Sequence, residues 1–283
     1  MSMQAKPVRT TDLKEKKRRG EKIAVLTAYD AMMARLLDRA GIDVLLVGDS
    51  LGMVVLGHDT TVPVTMDDML HHTRIVVRGT QRALVVADMP FLSYQIGPSE
   101  AVRNAGRLMK EGGAASVKLE GGRAVIDVVK RLVDVGIPVM GHLGLLPQSV
   151  HQVGGFHRQA TQPEQVETLL ADAAALEAAG AFSIVLESIP SEVAKAATAH
   201  VSVPTIGIGA GPHCDGQVLV CSDMLGLFDE FVPPFVKQYA QLAETILAAG
   251  KAYAEDVRGG RYPEIGSHTA SPAASPPTST RTT

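Results

Sequence analysis

Eight short β-rich runs alternate along this chain with segments of helical periodicity, and that alternation limits the fold more than any single motif. The first four are "IAVLTAYD" before "AMMARLLDRAG", "VLLVGDS" and a long loop before "MDDMLHHTRIVVRGT", "ALVVADMPF" before "PSEAVRNAGRLMKEGG", and "ASVKLEG" before "RAVIDVVKRLVDVG". Then "PVMGHLGL" precedes "QPEQVETLLADAAALEAAG" and "FSIVLES" precedes "PSEVAKAATAH". "VPTIGIGAG" has little or no helix after it, and "QVLVCSDML" comes before "PPFVKQYAQLAETILAAGKAYAED". Such alternation implies a parallel sheet covered by helices, and near-continuous apolar strands fit burial on both faces. Gly41, Gly113, Gly136 and Gly180 end helical segments just before the next strand, where a C-terminal stop belongs. The pattern predicts an α/β fold of the (β/α)8 TIM-barrel class, with a doubly wound open sheet as the alternative.

The expected layout is an N-terminal helical arm over 1–22, one barrel domain over 23–262 and a tail over 263–283. The tail, "PEIGSHTASPAASPPTSTRTT", carries almost no bulky apolar side chain to offset its ordering entropy, so disorder is expected there. With 46% hydrophobic residues in 283, the rest can bury a large core. A net charge of −3 makes no electrostatic case for nucleic acid or an anionic membrane, which points to small-molecule partners. No apolar stretch approaches the roughly 20 residues that span a bilayer, and the start lacks the apolar segment of a secretory signal, so the cytoplasm is the expected location. "KEKKRR", flanked by acidic residues, reads as a solvated helix, and Cys214 and Cys221 as two reduced thiols rather than a zinc site or a disulfide scaffold.

Polar residues stand at the ends of the apolar runs. In a closed barrel all strand C-termini open on one mouth, where the strand-to-helix loops build the active site. Asp49 and Ser50 end strand 2, Asp88 ends strand 3, Lys118 and Glu120 end strand 4, His142 lies on strand 5 and Glu187 ends strand 6. Each alone is also explained as a helix cap or turn residue; five consecutive strands ending this way are not. Three carboxylates at one mouth repel unless they share a cation or a proton, and oxygen ligands without cysteine favour a hard ion such as magnesium. Asp49, Asp88 and Glu120 are the candidate ligands, and such an ion would polarise a carbonyl and stabilise an enolate. Lys118 lies two residues before Glu120 and faces the same side of its strand, suited to neutralising a substrate carboxylate or, alternatively, to forming a Schiff base. Glu187 is left as a general base. His142 suits either a hydrogen bond to substrate or a structural place. "HLGLLPQSVHQVGGF" is a candidate lid, and "GIGAG" a tight turn near the substrate; Pro212 in place of the last glycine weakens a dinucleotide reading.

Assembled in order, "TAYD", "LLVGDSLGMVVLGHDTTVPVT", "VVADMPF", "VKLEGG", "PVMGHLGLLPQSV", "GGF", "IVLES" and "IGIGAG" resemble the ketopantoate hydroxymethyltransferase family. The resemblance implies a magnesium-dependent barrel that transfers a one-carbon unit from 5,10-methylenetetrahydrofolate to 3-methyl-2-oxobutanoate through a metal-stabilised enolate. By motif position it implies Asp49 and Asp88 as magnesium ligands, Glu120 as a third directly or through water, Ser50 and Lys118 as contacts to the 2-oxo acid, and Glu187 as proton acceptor. It also implies a homo-oligomer, often a decamer. Two rivals are a carbon–carbon lyase of the isocitrate lyase and phosphoenolpyruvate mutase type, which commonly carries a "KKCGH" segment absent here, and a non-catalytic metabolite-binding barrel.

Overall fold

A computed structural model describes residues 6–228 and 232–264. Strands β1 (Ile23–Thr27), β2 (Val44–Val47), β3 (Leu84–Asp88), β4 (Ser116–Glu120), β5 (Val139–Gly144), β6 (Ser183–Glu187), β7 (Thr205–Ile208) and β8 (Gly216–Leu219) pair in sequence order as a closed parallel barrel. Closure comes from β1 against β8, with Val25 opposite Val218. This is the expected (β/α)8 barrel, and the open-sheet alternative falls.

The helices are α1 (Thr10–Arg19), α2 (Ala31–Arg39), the short α3 (Leu51–Val54), α4 (Met66–Gly79), α5 (Pro98–Lys110), α6 (Ile126–Asp134), the short α7 (Val150–Val153), α8 (Pro163–Ala178), α9 (Ser191–His200), the short α10 (Cys221–Met224) and α11 (Leu242–Arg258). Their ends follow local chemistry. Asp30 caps α2 by accepting from the backbone of Met32 and Met33, and Thr65 with Asp68 forms a capping box on α4. No helix lies between β7 and β8, as the sequence led us to expect. The last helix is shorter than its periodic segment, because residues 233–241 begin with two prolines and run irregularly before Leu242.

Two apolar layers follow from the alternation of side chains along each strand. Inside the barrel, Ile23, Val25, Val44, Leu46, Leu84, Val86, Met140, Val185, Ile206 and Val218 form one cluster; the larger second cluster fills the space between strands and helices. Leu13 of α1 joins the inner cluster and is fully buried, so α1 closes the barrel floor. Lys14, Arg18 and Arg19 of "KEKKRR" are exposed, as expected of a solvated helix, but Lys16 and Lys17 are not. Lys16 pairs with Asp43 at 2.9 Å, while Lys17 pairs with Asp215 at 2.9 Å and donates to the carbonyls of Thr198, Val201 and Val203. The partners lie far along the chain, which is why local charge pattern did not announce them. Only residues 263 and 264 of the expected tail fall within the described residues. Among the described residues, no helix is long and apolar enough to cross a membrane.

The outer wall is less complete. A groove of about 890 Å³ runs along β8 and β1, where Ala24, Gln217, Leu219, Met224 and Tyr239 line it. Helix α11 has no buried residue and exposes Ile246, Leu247 and Tyr253.

Candidate active site

The mouth of the barrel holds a cavity of about 800 Å³, and Asp49, Ser50, Asp88, Lys118, Glu120, His142 and Glu187 all line it. Every strand-end residue singled out from the sequence therefore meets the others. Asp88, Lys118 and Glu120 are the last inward-facing residues of β3 and β4, while Asp49 and Ser50 stand just past β2. Gly48 permits this turn, since a Cβ there would lie 2.8 Å from Ser50 Oγ. Ser50 precedes α3 but makes no capping bond; its hydroxyl instead meets that of Tyr29 at 2.9 Å.

The charged groups interlock. Lys118 Nζ lies 2.8 Å from Asp88 Oδ1, and Asp88 Oδ2 accepts from the Asp49 backbone at 3.0 Å. His142 sits between two carboxylates, with Nδ1 3.3 Å from Glu120 and Nε2 3.1 Å from Glu187. Burial alone would lower the His142 pKa, and Lys118 pushes the same way, but Glu120 and Glu187 outweigh both and hold it up at about 9. Both ring nitrogens are directed at carboxylates. Burial, with Asp88 and Glu120 as like charges beside it, pushes Asp49 well above the usual carboxylate range. Lys118 is raised, because Asp88, Asp49 and Glu120 more than offset its burial. Glu187 is the most open of the four acids facing Lys118 and His142, with its side chain 19% exposed against 3% for Asp88 and Glu120.

One residue that the sequence did not single out ties the acids together. Gln148 donates from Nε2 to Asp49 Oδ2 at 2.8 Å and to the Met89 carbonyl at 2.9 Å, and from its backbone to Glu120 Oε2 at 3.1 Å. Its Oε1 accepts from Tyr94 at 2.8 Å and Gln95 at 3.2 Å. The Tyr94 hydroxyl in turn accepts from the Glu120 backbone at 3.1 Å. Gln148 lies in the long loop after β5, so that loop is fastened to the site at its first turn. The only cue in the sequence was a glutamine inside "LLPQS", and a lone glutamine in a loop carries no pattern.

These residues suit a hard divalent cation. Asp88 Oδ1 and Glu120 Oε1 are buried without an aligned hydrogen bond, and the acids outnumber the lysine that faces them. Among the described residues no three His, Cys, Asp or Glu side chains form a ready-made cage. Magnesium commonly takes one or two carboxylates and fills its octahedron with water and substrate oxygens. Neither cysteine lines the cavity; both are buried as free thiols, and burial pushes Cys221 up to about 11.

Solved structures of similar shape include a 2,3-dimethylmalate lyase of the PEP mutase/isocitrate lyase superfamily, with a TM-score of 0.58 at 18% identity over 89% of this chain and 88% of that one. A phosphonopyruvate hydrolase solved with oxalate and Mg++ aligns with a TM-score of 0.60 at 13% identity, over 94% and 92% of the two chains. At such identities the likeness concerns the barrel alone. Sequence relatives stand much nearer. The 3-methyl-2-oxobutanoate hydroxymethyltransferase of Moorella thermoacetica is 60% identical over 89% of this chain and 94% of its own length. That of Dehalococcoides mccartyi strain CBDB1 is 58% identical over 91% and 93%. The family model of ketopantoate hydroxymethyltransferase matches residues 7–265, and the chain belongs to that family.

Proposed function

We infer that this enzyme transfers a hydroxymethyl group from 5,10-methylenetetrahydrofolate to 3-methyl-2-oxobutanoate, giving 2-dehydropantoate (ketopantoate). The observation that carries the reading is the convergence of Asp49, Asp88, Lys118, Glu120 and Glu187 on one cavity in a chain of this family. Asp49 and Asp88 would hold magnesium, with Glu120 beside them directly or through water. When bound, the ion supplies electrophilic pull on the carboxylate and 2-oxo oxygens of the substrate.

The side chains do the rest. Lys118, fixed by Asp88, neutralises the substrate carboxylate, and Ser50, oriented by Tyr29, donates to an oxygen of the same group. Glu187, open to the cavity, removes the proton from C3, and His142 holds Glu187 in place through Nε2. With both ring nitrogens directed at acids, His142 acts on the substrate mainly through Glu187. Water adds to the donor's methylene carbon and releases tetrahydrofolate and formaldehyde; C3 then bonds to the formaldehyde carbon, whose oxygen takes up a proton to become the hydroxyl of the new hydroxymethyl group. The exposed apolar face of α11 and the open groove along β8 and β1 support assembly into a homo-oligomer, for which the family resemblance suggests a decamer.

The direct assay is ketopantoate formation from both substrates with magnesium; its absence with folded protein rejects the reading. Proton removal is separable. Glu187→Gln should slow exchange of the C3 hydrogen of 3-methyl-2-oxobutanoate with deuterium by about 10²–10⁴-fold, and a wild-type rate would remove Glu187 as base.

A further inference from the structure

The charged residues occupy only part of the cavity wall. Asp49, Asp88, Lys118, Glu120, His142 and Glu187 come from the ends of β2 to β6. Arg158, from the loop after β5, also lines the cavity and turns one guanidinium nitrogen to the Ile189 carbonyl at 3.4 Å. The rest of the arc is largely apolar: Ile208 ends β7, Val218 and Val220 come from β8 and its end, and Phe228 and Phe235 from the segment beyond. Phe235 lies against Gly209 of "GIGAG", where a Cβ would come within 2.9 Å of the ring, so this glycine opens the space that the ring fills.

Into this apolar arc a single acid is set. Asp223, on α10 after β8, lines the cavity and is 8% exposed. Among the described residues its carboxylate has no hydrogen bond or ion pair, whereas Asp49 and Glu120 are each held by Gln148 and Asp88 by Lys118. The Asp223 oxygens open onto the cavity rather than into the packed core. Partial burial holds Asp223 up at about 6, which leaves it ionised at neutral pH and free to accept from a ligand in the cavity. A small branched 2-oxo acid bound at the charged side fills only a fraction of about 800 Å³, and the space left over is the part that Asp223 faces.

The ligand that suits such a wall is flat and apolar on its faces, with two adjacent N–H donors along one edge. A carboxylate accepts both donors in a bidentate, charge-assisted pair, as it does from a guanidinium, while aromatic and aliphatic side chains cover the faces. The 2-amino-4-oxopyrimidine edge of a reduced pterin offers that pair of donors. We propose that Asp223 anchors the pterin ring of the one-carbon donor against Val220, Phe228 and Phe235. The proposal rests on the reading that the donor is a tetrahydrofolate.

The experiment is calorimetric titration of tetrahydrofolate into the full chain and its Asp223→Asn variant at pH 7.5. Asparagine keeps the shape but sets an amide N–H against the ligand's donors. Affinity should fall tenfold or more, the KM for methylenetetrahydrofolate should rise by the same factor, and the KM for 3-methyl-2-oxobutanoate should stay constant. Asp223→Glu should recover part of the loss. Equal tetrahydrofolate affinity in wild type and Asp223→Asn, both melting cooperatively, overturns the anchor. So does a rise in both KM values together, which would mark a general distortion of the cavity. Deuterium exchange at C3 by the wild type, measured without folate, tests the underlying reading separately. A wild type that exchanges normally but does not bind tetrahydrofolate rejects the folate site, and one that neither exchanges nor binds rejects the function with it.

Discussion

Gln148 uses every hydrogen-bonding group on its side chain, with two donors on Asp49 and Met89 and two acceptor positions on Tyr94 and Gln95. Gln148→Leu keeps the volume but leaves the Asp49 carboxylate and the Met89 carbonyl without donors. A buried group so abandoned costs about 1–3 kcal/mol, so kcat/KM should fall about ten- to a hundredfold and magnesium affinity should weaken with it; wild-type values in both would deny the positioning role. Asp223 makes the opposite trade. Burial raises its pKa from 3.8 to about 6, so the folded state holds this proton more tightly than the unfolded chain. Its contribution to stability is therefore most favourable below about 4 and declines as pH rises through about 6, where the charge must be carried in the cavity near the Tyr29 hydroxyl and the Cys221 thiol. Asp223→Asn should melt above wild type at pH 7.5, with the gap narrowing at pH 4.5; a gap constant with pH would show that the charge is not its source.

Helix α1 shows an element whose meaning depends on what lies across the fold. Its Leu13 is a fully buried apolar group of the barrel floor, and Leu13→Ala should cost about 2–5 kcal/mol by urea unfolding. A cost under about 0.5 kcal/mol, the usual size of a surface change, would mean that α1 merely leans on the barrel. The strands were legible because an inward and outward period survives in a short string: Asp88, Lys118 and Glu120 could be placed on the mouth by counting residues along β3 and β4. Lys17 could not, because what buries it are Asp215 and three carbonyls nearly two hundred residues away. Gln148 was hidden for the same reason, its partners being contributed by the turn after β2, the end of β4 and the loop after β3.

At the scale of the whole molecule, the mouth and the wall were unequally readable. Seven residues chosen as strand ends share one cavity, since a parallel barrel sends all strand C-termini to the same side. The apolar half of that cavity was not visible, because "GIGAG" and the two phenylalanines beyond β8 become neighbours only when the chain closes. The outer surface gave still less warning. Parallel strands are normally covered on both faces, yet the groove along β8 and β1 stands open and α11 offers Ile246 and Leu247 to solvent. If these surfaces meet copies of themselves, replacing Ile246 and Leu247 together by Asp should shift the protein to a smaller species in sedimentation velocity. Neither residue is buried in the single chain, so its own fold should hold; an unchanged sedimentation coefficient would exclude α11 from the contact.

The missing helix between β7 and β8 has a consequence beyond shape. If a neighbouring copy finishes the barrel wall there, mass action stabilises it, and heat resistance becomes a function of how much protein is present. Dilution should lower the melting temperature of the wild type and leave that of the doubly substituted chain where it was.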